Sequence, residues 1–274
     1  MRNVECGMRN CGERSSAKRR SSPHSAFRIP HSALCSLALL TLATPRSLPG
    51  QQWPVHSMDR PRPPVVDPGP ERPPVAPPSD AIVLFDGKNL DQWQTESGAP
   101  AKWVVRDGYL EVAPRTGAIQ TKRGFGDVQL HVEWAAPAAV RGNSQNRGNS
   151  GIFLQDIYEV QVLDNFENKT YVNGMVGSIY KQYPPLVNAA YPAEHWQTYD
   201  IIFTAPRFNA DGSLLSAARL TVLLNGVLVQ NNSVLKGGTT YIGQPSYHPH
   251  GDMPIRLQDH GHLVRYRNIW VRKL

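Results

Sequence analysis

From Asp80 to the C-terminus, apolar residues recur at every second position in short runs, and no stretch keeps a helical period. A period of two puts alternate side chains on opposite faces of a strand, so this pattern restricts the chain to sheet structure. Val128–Trp134 is the cleanest run: Val128, Leu130, Val132 and Trp134 share one face, and Gln129, His131 and Glu133 share the other. Ala81–Phe85, Trp103–Arg106, Tyr109–Val112, Ala118–Thr121, Ser150–Leu154 and Tyr158–Leu163 read as further strands. Thr198–Thr204, Arg219–Leu224, Val227–Gln230, Ile255–Gln258 and Leu263–Val271 complete the set. Asp107-Gly108 and Asn225-Gly226 each join two runs through two residues that tolerate positive φ, which predicts tight hairpins. Roughly ten short strands joined this way predict an all-β antiparallel sandwich of the jelly-roll kind.

Charge divides the 274-residue chain at the same boundary. Residues 1–79 hold 11 Lys/Arg against 5 Asp/Glu, whereas residues 80–274 hold 18 against 17. The net charge of +7 therefore sits mostly outside the β region. A nearly neutral domain lacks the basic footprint of a nucleic-acid binder. Cys6, Cys11 and Cys35 also precede the boundary, so the domain has neither disulfides nor thiolate metal ligands. Residues 1–50 read as an export leader, with a basic run from Arg14 to Arg28 ahead of the apolar stretch Ala33–Ala43. That stretch has signal-peptide length and is short for a membrane span. The expected location is secreted or periplasmic, with no membrane span after leader removal. Residues 51–79 are rich in proline and read as an extended, disordered linker. The domain is expected to occupy residues 80–274.

The most informative polar residues lie within Asn149–Asp164. In Tyr158–Leu163, Val160 and Val162 share one parity while Glu159 and Gln161 share the other. With the valines in the core, the carboxyl and the amide face a groove; the competing reading is a solvated strand glutamate. Asp164 has the opposite parity and is expected to cap a turn. Asn149 and Ser150 lie between Gly148 and Gly151, where an amide and a hydroxyl can meet the hydroxyls of a ligand at close backbone approach. Near the C-terminus Arg256, Gln258 and His260 share a parity and point to the same groove. Asp259 is expected to fix the His260 tautomer. The alternative is a turn in which Asp259 bonds local backbone and Gly261 takes positive φ. Two long loops, Pro137–Arg147 and Lys169–Glu194, flank these segments, and the second is expected to lie over the binding face with Tyr180 against substrate. Trp93 is expected to plug the sandwich edge and Trp196 to sit in the core. Arg265 and Arg267 read as a solvated or sheet-bridging pair.

Eight motifs occur in order: Leu84-Phe-Asp-Gly-Lys-Asn-Leu-Asp-Gln-Trp93, Asn149-Ser-Gly-Ile152, Tyr158-Glu-Val-Gln-Val-Leu-Asp164, Gly177-Ser-Ile-Tyr180, His195-Trp-Gln-Thr-Tyr199, Leu224-Asn-Gly226, Ile255-Arg-Leu-Gln-Asp-His-Gly261 and Tyr266-Arg-Asn-Ile269. Together they resemble the 3-keto-disaccharide hydrolase domain family. Trp196-Gln197 departs from the family's Trp-Asn pair. The resemblance implies a concanavalin A-like jelly roll of two curved antiparallel sheets, with ligand on the concave face. It also implies action on glycosides already oxidised to a ketone at sugar C3, by proteins that bacteria often export.

A ketone at C3 acidifies the C2 proton. A base can remove it, the enolate can expel the C1 oxygen, and water can add afterwards. Direct hydrolysis instead needs two carboxyl groups flanking C1. On either route Glu159 is the expected base or acid, assisted by His260 and Asp259. Asn149, Gln161, Tyr180, Arg256 and Gln258 are the expected substrate-binding residues. No dinucleotide fingerprint or compact metal-ligand spacing is present, so neither cofactor nor metal is expected. The oxidation that makes the ketone then belongs to a partner, a sugar 3-dehydrogenase. The alternative from another class is a non-catalytic carbohydrate-binding jelly roll. A laminarinase-type endoglucanase would need Glu-x-Asp-x-x-Glu, and Gln161 occupies its middle position.

Overall fold

The computed structural model describes residues 53–274, and the leader with its three cysteines lies outside the described residues. Among the described residues fifteen strands account for nearly all regular structure. They are β1 (Ile82–Phe85), β2 (Trp93–Thr95), β3 (Val104–Arg106), β4 (Tyr109–Glu111) and β5 (Ile119–Phe125). Next come β6 (Val128–Ala135), β7 (Ser150–Leu154), β8 (Tyr158–Val162), β9 (Gln197–Thr204) and β10 (Arg207–Phe208). The last are β11 (Leu214–Ser216), β12 (Arg219–Leu224), β13 (Val227–Val234), β14 (Met253–Leu257) and β15 (Arg265–Lys273). Short 3-10 turns at Ser144–Asn146 and Val172–Gly174 are the helical elements among the described residues. No helix there is long and apolar enough to cross a membrane.

The strands form the expected antiparallel sandwich. One sheet has eight strands, running β13-β12-β9-β6-β15-β4-β3 with β1 paired to β15; the other has five, running β2-β5-β14-β7-β8. Both two-residue turns close hairpins, with Arg106 opposite Tyr109 and Leu224 opposite Val227. Asp107, Gly108, Asn225 and Gly226 all take positive φ, which is why these dipeptides stand there. Between the sheets Tyr158 packs on Phe203 and Trp134 on Tyr199, at ring separations of 5.6 and 5.7 Å. Trp93 closes the edge, fully buried and donating from Nε1 to the Leu84 carbonyl at 2.8 Å.

Four elements differ from the sequence expectation. The polar face of β6 is buried too, because His131 and Glu133 pair with Asp200, Arg267 and Asn268 from neighbouring strands. Asp164 caps no turn: its buried carboxylate takes a two-pronged ion pair from Arg147, at 2.6 and 3.1 Å. Trp196 is half-buried outside the core, beneath Arg267, whose guanidinium carbon lies 4.1 Å from its ring centre.

The fourth is the proline-rich segment, which docks on the domain as an extended strap. Residues 53–274 fall within one compact unit. Val66 donates to the Asn188 carbonyl at 2.9 Å, and Asn188 donates back to Pro64 at 2.8 Å. Arg62 donates to the Asn168 carbonyl, and Arg60 to the Asn173 side chain. Glu71 accepts from His195 and from the Trp196 amide. Proline removes backbone donors from the strap, so its contacts run through the Val66 amide, the Arg60 and Arg62 side chains, and donors on the domain.

Candidate active site

The site grows from the parity of β8. Tyr158, Val160 and Val162 point into the core and are essentially inaccessible, which turns Glu159 and Gln161 to the outer face of the five-stranded sheet. Slipping the strand by one residue would expose the two valines, at about 1.5–3 kcal/mol each, and drive a carboxyl into the sandwich. On β7, Phe153 lies opposite Glu159 and Gly151 opposite Gln161. On β14, Arg256 pairs with Phe153, and the amide of Gln258 donates to the Gly151 carbonyl at 3.0 Å. Two lateral rows result: Glu159–Phe153–Arg256, and Gln161–Gly151–Gln258. Glycine at 151 leaves room for the floor of the site, because a Cβ there would meet Glu159 Oε1 at 2.6 Å and Phe153 Cε2 at 2.8 Å and push both aside.

These rows floor a cleft of about 670 Å3. Its size falls in the roughly 300–1,000 Å3 range of small-molecule sites. Asn149, Glu159 and Gln161 form one side, and Gln258 and His260 extend it past the end of β14. Tyr171 and Tyr180 rise from the long 169–194 loop, their hydroxyls 2.9 Å apart. That loop also covers the free edge of β8, through Tyr180 N–H to the Glu159 carbonyl and Gln161 N–H to the Ser178 carbonyl. Thr239 and Tyr241 come from the loop before β14, and His56 comes from the strap. Lys181 donates to the Tyr241 carbonyl and ties the two loops together.

Among the described residues, Glu159 is the only carboxyl group lining the cleft. It is 5 % exposed, and no protein donor reaches its carboxylate among the described residues. Burial pushes its pKa up from 4.5 to about 8, although the positive charge of Arg256 pulls the other way. Arg256 is set back. Its guanidinium lies over the Phe153 ring, 3.7 Å from the centroid, and pairs with Asp156. His260 is held below its ordinary pKa, first by desolvation and then by the neighbouring His262, whose ring stacks 5.8 Å away. It is therefore neutral near pH 7, with a nitrogen free to donate or accept. Burial raises the Tyr180 pKa, so its hydroxyl stays protonated.

Six of the residues singled out from sequence meet in this cleft: Glu159, Gln161, Asn149, Tyr180, Gln258 and His260. The Asn149 and Gln161 amides also brace each other, Gln161 Nε2 donating to Asn149 Oδ1 at 2.8 Å. Arg256 stands behind the lining rather than in it. Asp259 does not orient His260; its carboxylate accepts from the Gly117 and Gly261 amides, and Gly261 has φ +81°. Ser150 faces the core instead of the groove, bridging the Tyr266 hydroxyl and the Gln258 carbonyl at 2.6 Å each. Four further lining residues carry a usable signal in the sequence. Phe153 follows from pairing with Glu159, and Tyr171, Gln145 and Tyr241 lie on loops flanking the strands. His56 carried no signal at all. Among the described residues no group of three or more His, Cys, Asp and Glu side chains gathers as a metal site would.

The fold and the site define an all-β sandwich whose cleft holds one isolated carboxyl group among amides, imidazole and phenols. The family model described as "3-keto-alpha-glucoside-1,2-lyase-like domain" matches residues 80–272, and the chain belongs to that family. A crystal structure from Parabacteroides distasonis ATCC 8503, described as a candidate glycosyl hydrolase, is 48 % identical, with a TM-score of 0.71. The match covers 75 % of this chain and 95 % of that one. Another structure from the same organism, with the same description, is 20 % identical at a TM-score of 0.53 and shares the fold, over 71 % of this chain and 94 % of its own. No curated protein shows a significant match.

Proposed function

We propose that the protein cleaves 3-keto-glycosides by elimination across C1–C2, followed by hydration. The observation that carries this reading is the lone, buried Glu159 with a pKa of about 8. Double-carboxyl hydrolysis needs a second acid across the scissile bond, and the described residues of the lining offer none. Elimination needs one base matched in strength to a proton acidified by a ketone, and a carboxylate raised by burial is that base. In the proposed reaction Glu159 removes the C2 proton and the C–H electrons form the C2–C3 enolate. The enolate then expels the C1 oxygen, which takes the proton now held by Glu159 and leaves as an alcohol. Neutral His260 and the Gln258 amide supply hydrogen bonds where the enolate oxygen develops charge. Water then adds across the C1–C2 double bond to give the free 3-keto sugar. The family description names a 1,2-lyase, which supports the elimination branch. The ketone itself is made elsewhere, by a sugar 3-dehydrogenase.

The test is incubation with a 3-keto-disaccharide in deuterium oxide, followed by NMR. Release of the alcohol with deuterium entering at C2 of the product is expected. Release without deuterium refutes elimination, and saturable binding without turnover refutes the enzyme reading in favour of a binding module.

A further inference from the structure

The family match begins at residue 80, yet the cleft is completed by a residue 24 positions earlier, His56. Its placement is built. Ser57 N–H closes a turn on the Pro54 carbonyl, and Arg60 and Arg62 fasten the following residues to Asn173 and the Asn168 carbonyl. The imidazole centre lies 4.6 Å from the Tyr171 ring, tilted by 56°, and 5.8 Å from the Tyr241 ring, stacked at 29°. Burial and the nearby Lys181 charge hold its pKa below the ordinary value, so it adds no fixed charge.

The cleft is thus polar at depth and aromatic at its mouth. Glu159 is 5 % exposed at the floor, whereas Tyr241 is 70 % exposed at the rim. The ring that loses its C2 proton has to sit deep, against Glu159. What leaves from C1 then extends toward the rim. Flat rings suit the apolar C–H face of a second pyranose, and an imidazole also reaches its hydroxyls. Resting on the function proposed above, we infer that His56, Tyr171 and Tyr241 form the subsite for the leaving sugar ring, with His56 selecting substrates that carry one.

Binding tests this in a background without turnover. Glu159→Gln protein, with His56 intact or replaced by alanine or phenylalanine, is titrated calorimetrically with a 3-keto-disaccharide and with the methyl 3-keto-glycoside of the same anomer. His56→Ala is expected to weaken the disaccharide about tenfold, the upper end for one aromatic contact, and the methyl glycoside much less. His56→Phe is expected to recover most of the loss. Equal effects on both ligands, or none on the disaccharide, overturn the subsite. If neither keto ligand binds even with His56 intact, the keto-glycoside reading fails separately. The unoxidised disaccharide then decides the subsite: an affinity dependent on His56 sustains it, and its loss of binding to all three proteins refutes it.

Discussion

Replacing Glu159 with glutamine is expected to remove activity and to stabilise the fold. Burial lifts this carboxyl from 4.5 to about 8. Each pKa unit corresponds to about 1.4 kcal/mol, so ionising it in the folded protein costs on the order of 5 kcal/mol more than in the unfolded chain. The sign follows from counting protons. Below the unfolded value both states hold the proton and no cost arises. Between the unfolded and the folded pKa only the folded chain holds it, and stability falls by about 1.4 kcal/mol per pH unit. Above the folded pKa both states are ionised and the full cost stays. Glutamine does not titrate, so its advantage over wild type should be small at pH 5, about 3 kcal/mol larger at pH 7, and level above pH 8. For a domain of this size that is a gain of roughly 6–12 °C in Tm at pH 7. Urea denaturation of both proteins across pH 5–9 measures it. On the same axis, wild-type kcat/KM should climb with an apparent pKa near that value, while the variant loses about 10²–10⁴-fold. A stability difference that ignores pH, together with an acid limb near 4.5, would falsify the buried-base argument.

Three further perturbations follow from the same geometry. Arg256→Met removes the one cation that holds the Glu159 pKa down, so the acid limb of the pH–rate profile should move to higher pH; an unchanged limb would show that the charge does not reach the carboxyl. Gly151→Ala places a methyl against Glu159 Oε1 and the Phe153 ring, and activity should drop at least about tenfold with circular dichroism unchanged, since small misplacements of a catalytic group are costly; full activity would mean that the carboxyl has room to move. His131 is buried, which opposes its charge, but Asp200 and Glu133 outweigh burial and raise its pKa. Its partners' own pairs, Arg267 and Asn268 on Glu133, complete the set. The stability His131 contributes is therefore complete below its unfolded value and lost as pH rises through the raised folded value. In a Glu159→Gln background, which silences the other titration, His131→Gln should flatten the remaining loss of stability between pH 6 and 9.

The two-residue turns and the β6 alternation were legible because they are local: positive φ and a period of two belong to neighbouring residues. Glu159 and Gln161 were legible for the same reason, since Val160 and Val162 between them declare which face is core. The strands that escaped notice, β2, β10 and β11, have two or three residues and pair through sheet context alone. β5 runs past its expected end through Lys122-Arg123-Gly124, a polar stretch held by Met253 and Pro254 on β14 rather than by its own propensity. The pairs that redefine Asp164, Glu133 and His131 join residues 17 to 135 positions apart, and nothing local announces them. Parity placed Arg256 on the correct face but not at the correct depth, because Asp156 draws its guanidinium across Phe153. The strap failed for a different reason. Proline content specifies an extended backbone and says nothing of what that backbone lies against.

The placement of Arg256 decides what kind of group Glu159 can be. Their strands are separated by β7, so the two charges start about two strand spacings apart, roughly 10 Å. At an effective dielectric of 20 a unit pair at that distance attracts by about 1.7 kcal/mol, against about 4 kcal/mol at ion-pair contact. The net cost of about 5 kcal/mol already includes the smaller figure, and contact at the larger one would cut it by roughly half. With the guanidinium in contact, Glu159 would sit in an ion pair, mostly ionised near neutrality and a weaker base for a carbon acid. With no cation behind it, the carboxyl would stay protonated well above neutrality. Phe153 between them, and Asp156 holding the guanidinium away, set the carboxyl between these limits, where a single acid can give and take the same proton within one catalytic cycle.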